Sequence, residues 1–539
     1  MHGHLGRRSR SGAVGAVRAA GAVGAVAAAL AAWVAAAAAA ADPPEVPGAL
    51  PAPSAPAGGA KEVRQPAASR VGRADLAAAY MRLEEALAAA APAGEARARV
   101  NREFDGLTLE YFAGRMERAV ALLDALSVSL LESAPDPAAR ERGRRLRELG
   151  PRRVRAAPRT LPAAEGGAVE VDVAWLSGEP AGAPVVARLR PADGSAPLPV
   201  TLPGEGTVTV ELPGGRPPQA WTLELEAEPP LALARVWTLP QPLDATRTEL
   251  LARISRLESE AQPAAAPLLG AVRARAQLLT ASPGRARLAE SLVDPLLHAR
   301  EVEADVTALE SGRDPFHGRA GVTWRTISVS GVELPMRIVA PASALARGEA
   351  LPLVVALHGA GGDENMFIDG YGRGALVRLA ERHGFLVAAP LTTIFATSPA
   401  FLDAVVATMS AAYPVDPRRV HVLGHSMGAA AAGAAVRARP ALVASAALLA
   451  GTGAPVDPGR AAGPDAPPIR IDAGALDPLI PAASLRKLAE RLRQAGVEVT
   501  LVEWPEEGHT LLVERALPDA VERLMAHPRP APAPLPAPP

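Results

Sequence analysis

The sequence predicts a multidomain protein: a carboxyl-terminal α/β domain with a mostly parallel sheet and helices on both faces, preceded by helical segments and a small β-sandwich-like region. Three observations predict it. From about Phe316 to His527, short apolar runs alternate with amphipathic segments, the rhythm of strand and crossover helix. Between Val169 and Leu225 apolar residues alternate strictly, in stretches broken by Gly/Pro turns. The length, 539 residues, leaves room for roughly three domains.

Composition narrows the chemistry. Half the chain is apolar, so cores can form, and with 3% aromatics those cores are aliphatic. The 56 basic and 57 acidic residues leave a net charge of −1, so no global field recruits nucleic acid or anionic lipid. There is no cysteine. Disulfides, thiolate metal sites, cysteine nucleophiles and a lipid-modified cysteine are therefore excluded. Lys61 and Lys487 are the only lysines; the excess of Arg, Ala, Pro and Gly reads as codon usage of a GC-rich genome.

In order along the chain, Arg7, Arg8, Arg10 and Arg18 precede an uncharged stretch from Ala19 to Ala41, which ends in an alanine run before Asp42-Pro43-Pro44. This predicts an export signal over residues 1–41, cleaved after about Ala41, and a secreted or periplasmic protein; an uncleaved membrane anchor is the alternative. Residues 42–70, rich in Pro, Ala and Gly, read as a flexible linker. Helical spacing (Leu76, Tyr80, Leu83, Leu87; Phe112, Met116, Val120, Leu123) predicts a helical region over 71–155. The basic run Arg142-Gly143-Arg144-Arg145 with Arg152 and Arg153 is interleaved by Glu141 and Glu148, and reads as a solvated helix face. The sandwich-like region covers 165–240, a second helical region (Leu250, Ile254, Leu257) covers 244–312, the α/β domain 316–527, and a Pro-rich tail 528–539.

Within the α/β domain the expected strands are Leu353–Leu357, Phe385–Ala389, Val420–Leu423, Ala444–Leu449, Ile469–Ile471 and Val497–Val502, after an antiparallel entry hairpin. Ligands of such sheets bind at the carboxyl ends of strands. Gly424-His425-Ser426-Met427-Gly428 stands between a strand and an Ala-rich helix. A serine at so sharp a turn is lifted clear of the sheet, and side chains two residues either side would collide, hence the glycines. A hydroxyl nucleophile needs a base and the base an orienting acid; His509, after the last strand, and Asp477, after the preceding one, stand in that order. Asp472 is the second candidate acid. Leu357-His358-Gly359-Ala360-Gly361-Gly362 follows a strand directly, so the N–H groups of Ala360 and Met427 are the candidate oxyanion donors. His358 is expected to shape that loop.

At these residues the segment 316–527 resembles the α/β-hydrolase superfamily, and is most similar to its lidless carboxylesterase and polyhydroxybutyrate-depolymerase-like branch. The resemblance implies a serine hydrolase of carboxylic esters, exported if the amino-terminal signal is read as above, with Ser426, His509 and Asp477 catalytic and Ala360 and Met427 forming the oxyanion hole; no cofactor is expected, and no metal, since the histidines lack ligand spacing. The implied partner is a small or polymeric ester; no nucleic acid is expected, and a membrane only if the amino-terminal segment is uncleaved. An extracellular serine peptidase, an acyltransferase, or a binding protein without activity are the alternatives on the same fold. Two further expectations follow: a chain starting near Phe316 folds alone, and the Ser426 pocket opens to solvent unless the helical segments cover it.

Overall fold

The computed structural model of the chain describes residues 71–176, 182–260, 265–283, 287–392, 398–456, 462–463, 466–530 and 535–536. The expected export signal and linker lie outside the described residues, as does much of the Pro-rich tail. No helix among the described residues is long and apolar enough to cross a membrane.

Among the described residues four helices come first: α1 (Arg73–Ala90), α2 (Glu95–Phe112), α3 (Met116–Ser133) and α4 (Pro137–Leu149). Their leucines at helical spacing, including Leu83, Leu87, Leu123 and Leu130, are buried in one cluster. Each such side chain contributes ~1.5–3 kcal/mol when withdrawn from water. Asp136 caps α4 by accepting from the Ala138 and Ala139 N–H groups, and Pro137 starts the helix without losing a bond. Gly150, at φ 64°, ends it, and Pro151 cannot continue it. Arg152–Ala157 is therefore a strand, not the end of the helical region. The basic run is also more than a solvated face: Arg142 pairs with Glu85, Arg145 with Glu141 and Glu148, and Arg153 with Asp172.

Eight strands follow: β1 (Arg152–Ala157), β2 (Thr160–Pro162), β3 (Gly166–Trp175), β4 (Val185–Pro191), β5 (Leu198–Leu202), β6 (Gly206–Pro213), β7 (Gln219–Leu225) and β8 (Leu231–Leu239). They form sheets of order β1-β3-β6 and β2-β8-β7-β4-β5. The alternating residues Val169, Val171 and Val173 of one sheet and Trp221, Leu223 and Leu225 of the other enter the same cluster as α1–α4. Helices α5 (Leu243–Glu260), α6 (Ala266–Ala276), α7 (Ala289–Leu292) and α8 (Pro295–Glu310) then lead to the α/β domain. Buried Arg275 ties α6 to Asp305 of α8 and to the Trp324 carbonyl of the first strand beyond.

That domain holds β9 (Gly321–Val329), β10 (Val332–Ala340), α9 (Ala342–Leu345), β11 (Leu351–Leu357), α10 (Tyr371–His383), β12 (Leu386–Pro390), α11 (Pro399–Ala412), β13 (Val415–His425), α12 (Met427–Ala438), β14 (Ser445–Leu449), β15 (Ile469–Gly474), α13 (Ala482–Gln494), β16 (Val499–Trp504) and α14 (Leu512–Met525). The sheet order is β16-β15-β14-β13-β11-β12-β10-β9; β11 to β16 run parallel and the β9–β10 hairpin antiparallel. Every residue of β11, β14 and β15 is buried, as strands covered on both faces require. Helix α10 departs from its pattern at the start, where Gly372, Arg373 and Gly374 are left-handed. Parallel register brings the carboxyl ends of β11, β13 and β14 to one edge, with Leu357 opposite Gly424 and Gly424 opposite Leu448.

The described residues fall within one compact unit. Leu511, before α14, is buried in the cluster of α1–α4 and the two sheets. The core thus continues across Phe316, where the sequence suggests a separable segment.

Candidate active site

The turn between β13 and α12 carries Ser426 at φ 55° and ψ −115°, a backbone state costing a non-glycine residue about 1–3 kcal/mol. Neighbours hold it there. The Ser426 N–H donates to the Leu449 carbonyl at 2.9 Å, and its own carbonyl accepts from Ala429 at 3.0 Å. A Cβ at Gly424 would lie 2.1 Å from the Gly428 oxygen, and one at Gly428 would lie 1.9 Å from the Leu357 oxygen. The glycines are required by this crowding.

His509 stands between β16 and α14, with Nδ1 2.8 Å from Asp477 Oδ2 and Nε2 2.9 Å from Ser426 Oγ. A carboxylate only accepts, so Nδ1 carries the proton and Nε2 is left to accept from the Ser426 hydroxyl. Asp477 is oriented through its other oxygen, which accepts from the Leu479 and Ile480 N–H groups, both at 2.8 Å. Asp472 is engaged elsewhere: it accepts twice from Arg470 at 2.8 Å and once from Trp504 Nε1 at 2.9 Å. Ser426, Asp477 and His509 are 7%, 6% and 5% exposed, so the site is covered and electrostatic interactions there are weakly screened.

In the loop after β11, His358 donates from Nδ1 to the Gly359 carbonyl and accepts at Nε2 from the Thr392 N–H, both at 2.8 Å. Burial pushes its pKa down, keeping it neutral. Gly362 N–H also donates to the Gly359 carbonyl, at 3.2 Å. The peptide is planar and trans, so anchoring that carbonyl directs the Ala360 N–H the opposite way. Among the described residues, neither the Ala360 nor the Met427 amide has an acceptor. Both are free to meet a developing negative charge.

Sequence reasoning missed a second layer. His425 donates from Nε2 to the His509 carbonyl at 3.0 Å and accepts at Nδ1 from the Tyr371 hydroxyl at 2.8 Å. One chain of bonds thus joins Tyr371, the elbow and the His509 loop. Burial holds His425 well below the usual imidazole range, which keeps Nδ1 an acceptor. His425 occupies the variable position of G-x-S-x-G and Tyr371 reads as an ordinary helix start, so neither carried a signal.

The helical region also reaches the site. Asn101 Oδ1 accepts from the Gly508 N–H at 2.8 Å, and Asp105 Oδ2 from the His509 N–H at 3.1 Å. Arg97 donates to both oxygens of Glu507, at 2.9 and 3.0 Å. Arg73 and Tyr111 donate to the Gly361 carbonyl at 3.1 and 3.2 Å. At helical spacing these residues read as a polar helix face.

Burial raises Asp105 to about 7, with Asp477 and Glu507 adding to the rise and the His509 amide and ring opposing it. Burial likewise raises Glu84 to about 7; Glu514 adds, while the Tyr80 hydroxyl, the Gly372 amide and Arg97 oppose. Both native values exceed the unfolded ones of ~4. The native state therefore binds extra protons between, and this stabilisation, full below about pH 4, is lost as pH rises through 7. The Asp105→Asn/Glu84→Gln double variant should accordingly gain thermal stability relative to wild type as pH goes from about 5 to 8. Parallel melting-temperature curves for the two proteins across that range would contradict the assignment.

Residues 392–524 match the Dienelactone hydrolase family; Ser426, Asp477 and His509 lie inside the match and the glycine loop precedes it. No curated protein matches the chain. Among solved structures the chain is similar to a thermostable esterase (22% identity, 39% of this chain and 63% of that one, TM-score 0.32). It is also similar to Thermogutta terrifontis esterase 2 phosphorylated by paraoxon (18%, 38% and 94%, TM-score 0.31) and to a bacterial heroin esterase (20%, 42% and 90%, TM-score 0.30). The chain thus spans less than two thirds of the first of these. With its parallel sheet, strand-end serine turn and this match, the carboxyl-terminal segment is an α/β-hydrolase-superfamily domain in which residues 392–524 are similar to the Dienelactone hydrolase family.

Proposed function

We propose that this protein is a serine hydrolase of carboxylic esters. The observation that carries this reading is the hydrogen-bonded line from Ser426 through His509 to Asp477 at the elbow turn. Ser426 Oγ attacks the acyl carbon while His509 Nε2 takes its proton. Asp477 keeps the imidazole in the required tautomer and stabilises its charged form. The Ala360 and Met427 amides receive the oxyanion, each donor supplying roughly 3–4 kcal/mol of transition-state stabilisation. His509 then protonates the leaving alkoxide, and water, activated by the same histidine, releases the acid. The arginine-led apolar segment before Asp42 supports export of this enzyme, with cleavage after about Ala41.

Short acyl esters are the substrates this site favours. Helix α2 touches the loops on both sides of Ser426, which disfavours a bulky polymer approaching edge-on. A long acyl chain gains only ~0.8 kcal/mol per methylene, and only where each is desolvated. The expected result is fluorophosphonate labelling at Ser426, located by peptide mass spectrometry, and a higher kcat/KM for p-nitrophenyl acetate and butyrate than for palmitate. Absence of labelling would remove the nucleophile; strong preference for palmitate would remove the short-chain assignment.

A further inference from the structure

Helix α2 belongs to a part of the chain that lies outside the family match, yet it meets the active-site loops at both ends. Arg97, Asn101 and Asp105 follow one another at four-residue steps and so share a face. They meet Glu507, Gly508 and His509 in the same order. Asn101 completes the grip by donating to the Glu506 carbonyl at 2.9 Å and to Glu507 Oε2 at 3.0 Å. From Asp105 to Tyr111 the helix rises about 9 Å, and there Tyr111 bonds the carbonyl of Gly361, next to the Ala360 donor.

Two glycines record how close this approach is. A Cβ at Gly508 would lie 2.0 Å from Asp105 Oδ2, and a Cβ at Gly361 would lie 2.6 Å from the Tyr111 ring. Both glycines lie in the loops that carry the proposed base and oxyanion donor. Asn101 and Asp105 are 0% and 4% exposed. Polar groups so buried are costly unless paired, and their partners are backbone amides of Gly508 and His509. The His509 carbonyl is held from the hydrolase side by His425; its amide is held only from α2 among the described residues.

We propose that α2 is an integral part of the active site, with Asn101 and Asp105 the positioning residues that fix the backbone of His509. The inference rests on the esterase reading above. Neither residue touches substrate; each acts through the base. Without them the Gly508 and His509 N–H groups lose their acceptors, and the imidazole no longer stays within reach of both Ser426 Oγ and Asp477. A displacement of about 1 Å at the reacting groups costs ~10²-fold in rate. The loss should fall on kcat, because the substrate-binding surfaces are unchanged.

The experiment uses the full chain with p-nitrophenyl acetate. Asn101→Ala/Asp105→Ala should lower kcat ~10²-fold, with KM within about threefold of wild type and fluorophosphonate labelling slowed in parallel. Asp105→Asn keeps an acceptor oxygen and should retain kcat within about fivefold. Leu130→Ala opens the same amino-terminal core from α3, and should lower the melting temperature while keeping kcat. Wild-type kcat in the double alanine variant overturns the proposal. So does an equal loss of kcat in Leu130→Ala, which would make the effect one of general loosening. If the double variant does not fold, Asp105→Ala is compared with Asp105→Asn, and equal kcat in these two overturns it as well. Turnover above about a hundredth of wild type in Ser426→Ala would instead defeat the esterase reading, whatever the α2 variants do.

Discussion

Ser426→Ala is expected to lower kcat for p-nitrophenyl acetate by about 10⁶-fold, while the melting temperature stays within a few degrees of wild type. On the proposed mechanism Oγ is the atom that attacks, and without it His509 has only water to activate, in a site arranged for a tethered hydroxyl. Oxyanion stabilisation alone leaves a residual acceleration of roughly 10³–10⁴ over water, so the variant should remain above background. The fold loses one hydroxyl that bonds only to His509. Single-turnover and steady-state rates, measured with circular dichroism melts, separate the two effects. Turnover above about a hundredth of wild type would move the nucleophile to another residue.

Arg97→Ala should give the largest loss of stability, about 3–5 kcal/mol. The Arg97 and Glu507 side chains are 6% and 3% exposed, and the guanidinium meets both carboxylate oxygens. Removing it leaves a buried carboxylate with Asn101 and, at 3.7 Å, the half-exposed Arg515, so the loss should sit at the lower end. Replacing both partners by apolar residues, as in Arg97→Met/Glu507→Leu, should cost less than Arg97→Ala, since no charge is stranded. Urea melts of the three proteins provide the check. A loss under about 1 kcal/mol in Arg97→Ala would mean that solvent reaches this pair. The same contact implies that a chain cut at Phe316 exposes Leu511 and leaves Glu507 without Arg97, against the expectation of independent folding.

Period alone made the α/β domain legible. Strands such as Leu351–Leu357 and Ser445–Leu449 are buried on both faces, so they read as unbroken apolar runs, and α13 and α14 show their amphipathic faces. The candidate site was legible for a related reason: a sharp strand-to-helix turn and a glycine loop impose local steric rules, which leave residues at fixed spacings. Boundaries set by a single proline or glycine, such as the Gly150-Pro151 break before β1, were less visible than the periods on either side. Left-handed Gly372–Gly374 could not be read from a helical pattern that includes them.

What the sequence determined by itself is local: strand and helix periods, the strained serine turn, the chain order of Ser426, Asp477 and His509, and the lack of cysteine chemistry. Only the tertiary structure decided between Asp477 and Asp472, because that choice depends on which carboxylate reaches Nδ1 across a strand end and which one Arg470 already holds. It alone joined His425 to Tyr371, and it alone brought Asn101 and Asp105 to the amides of Gly508 and His509, roughly four hundred residues away in the chain. Such contacts leave no periodic trace. A buried amide accepts a partner from any distance along the sequence, and the geometry of the folded chain selects it.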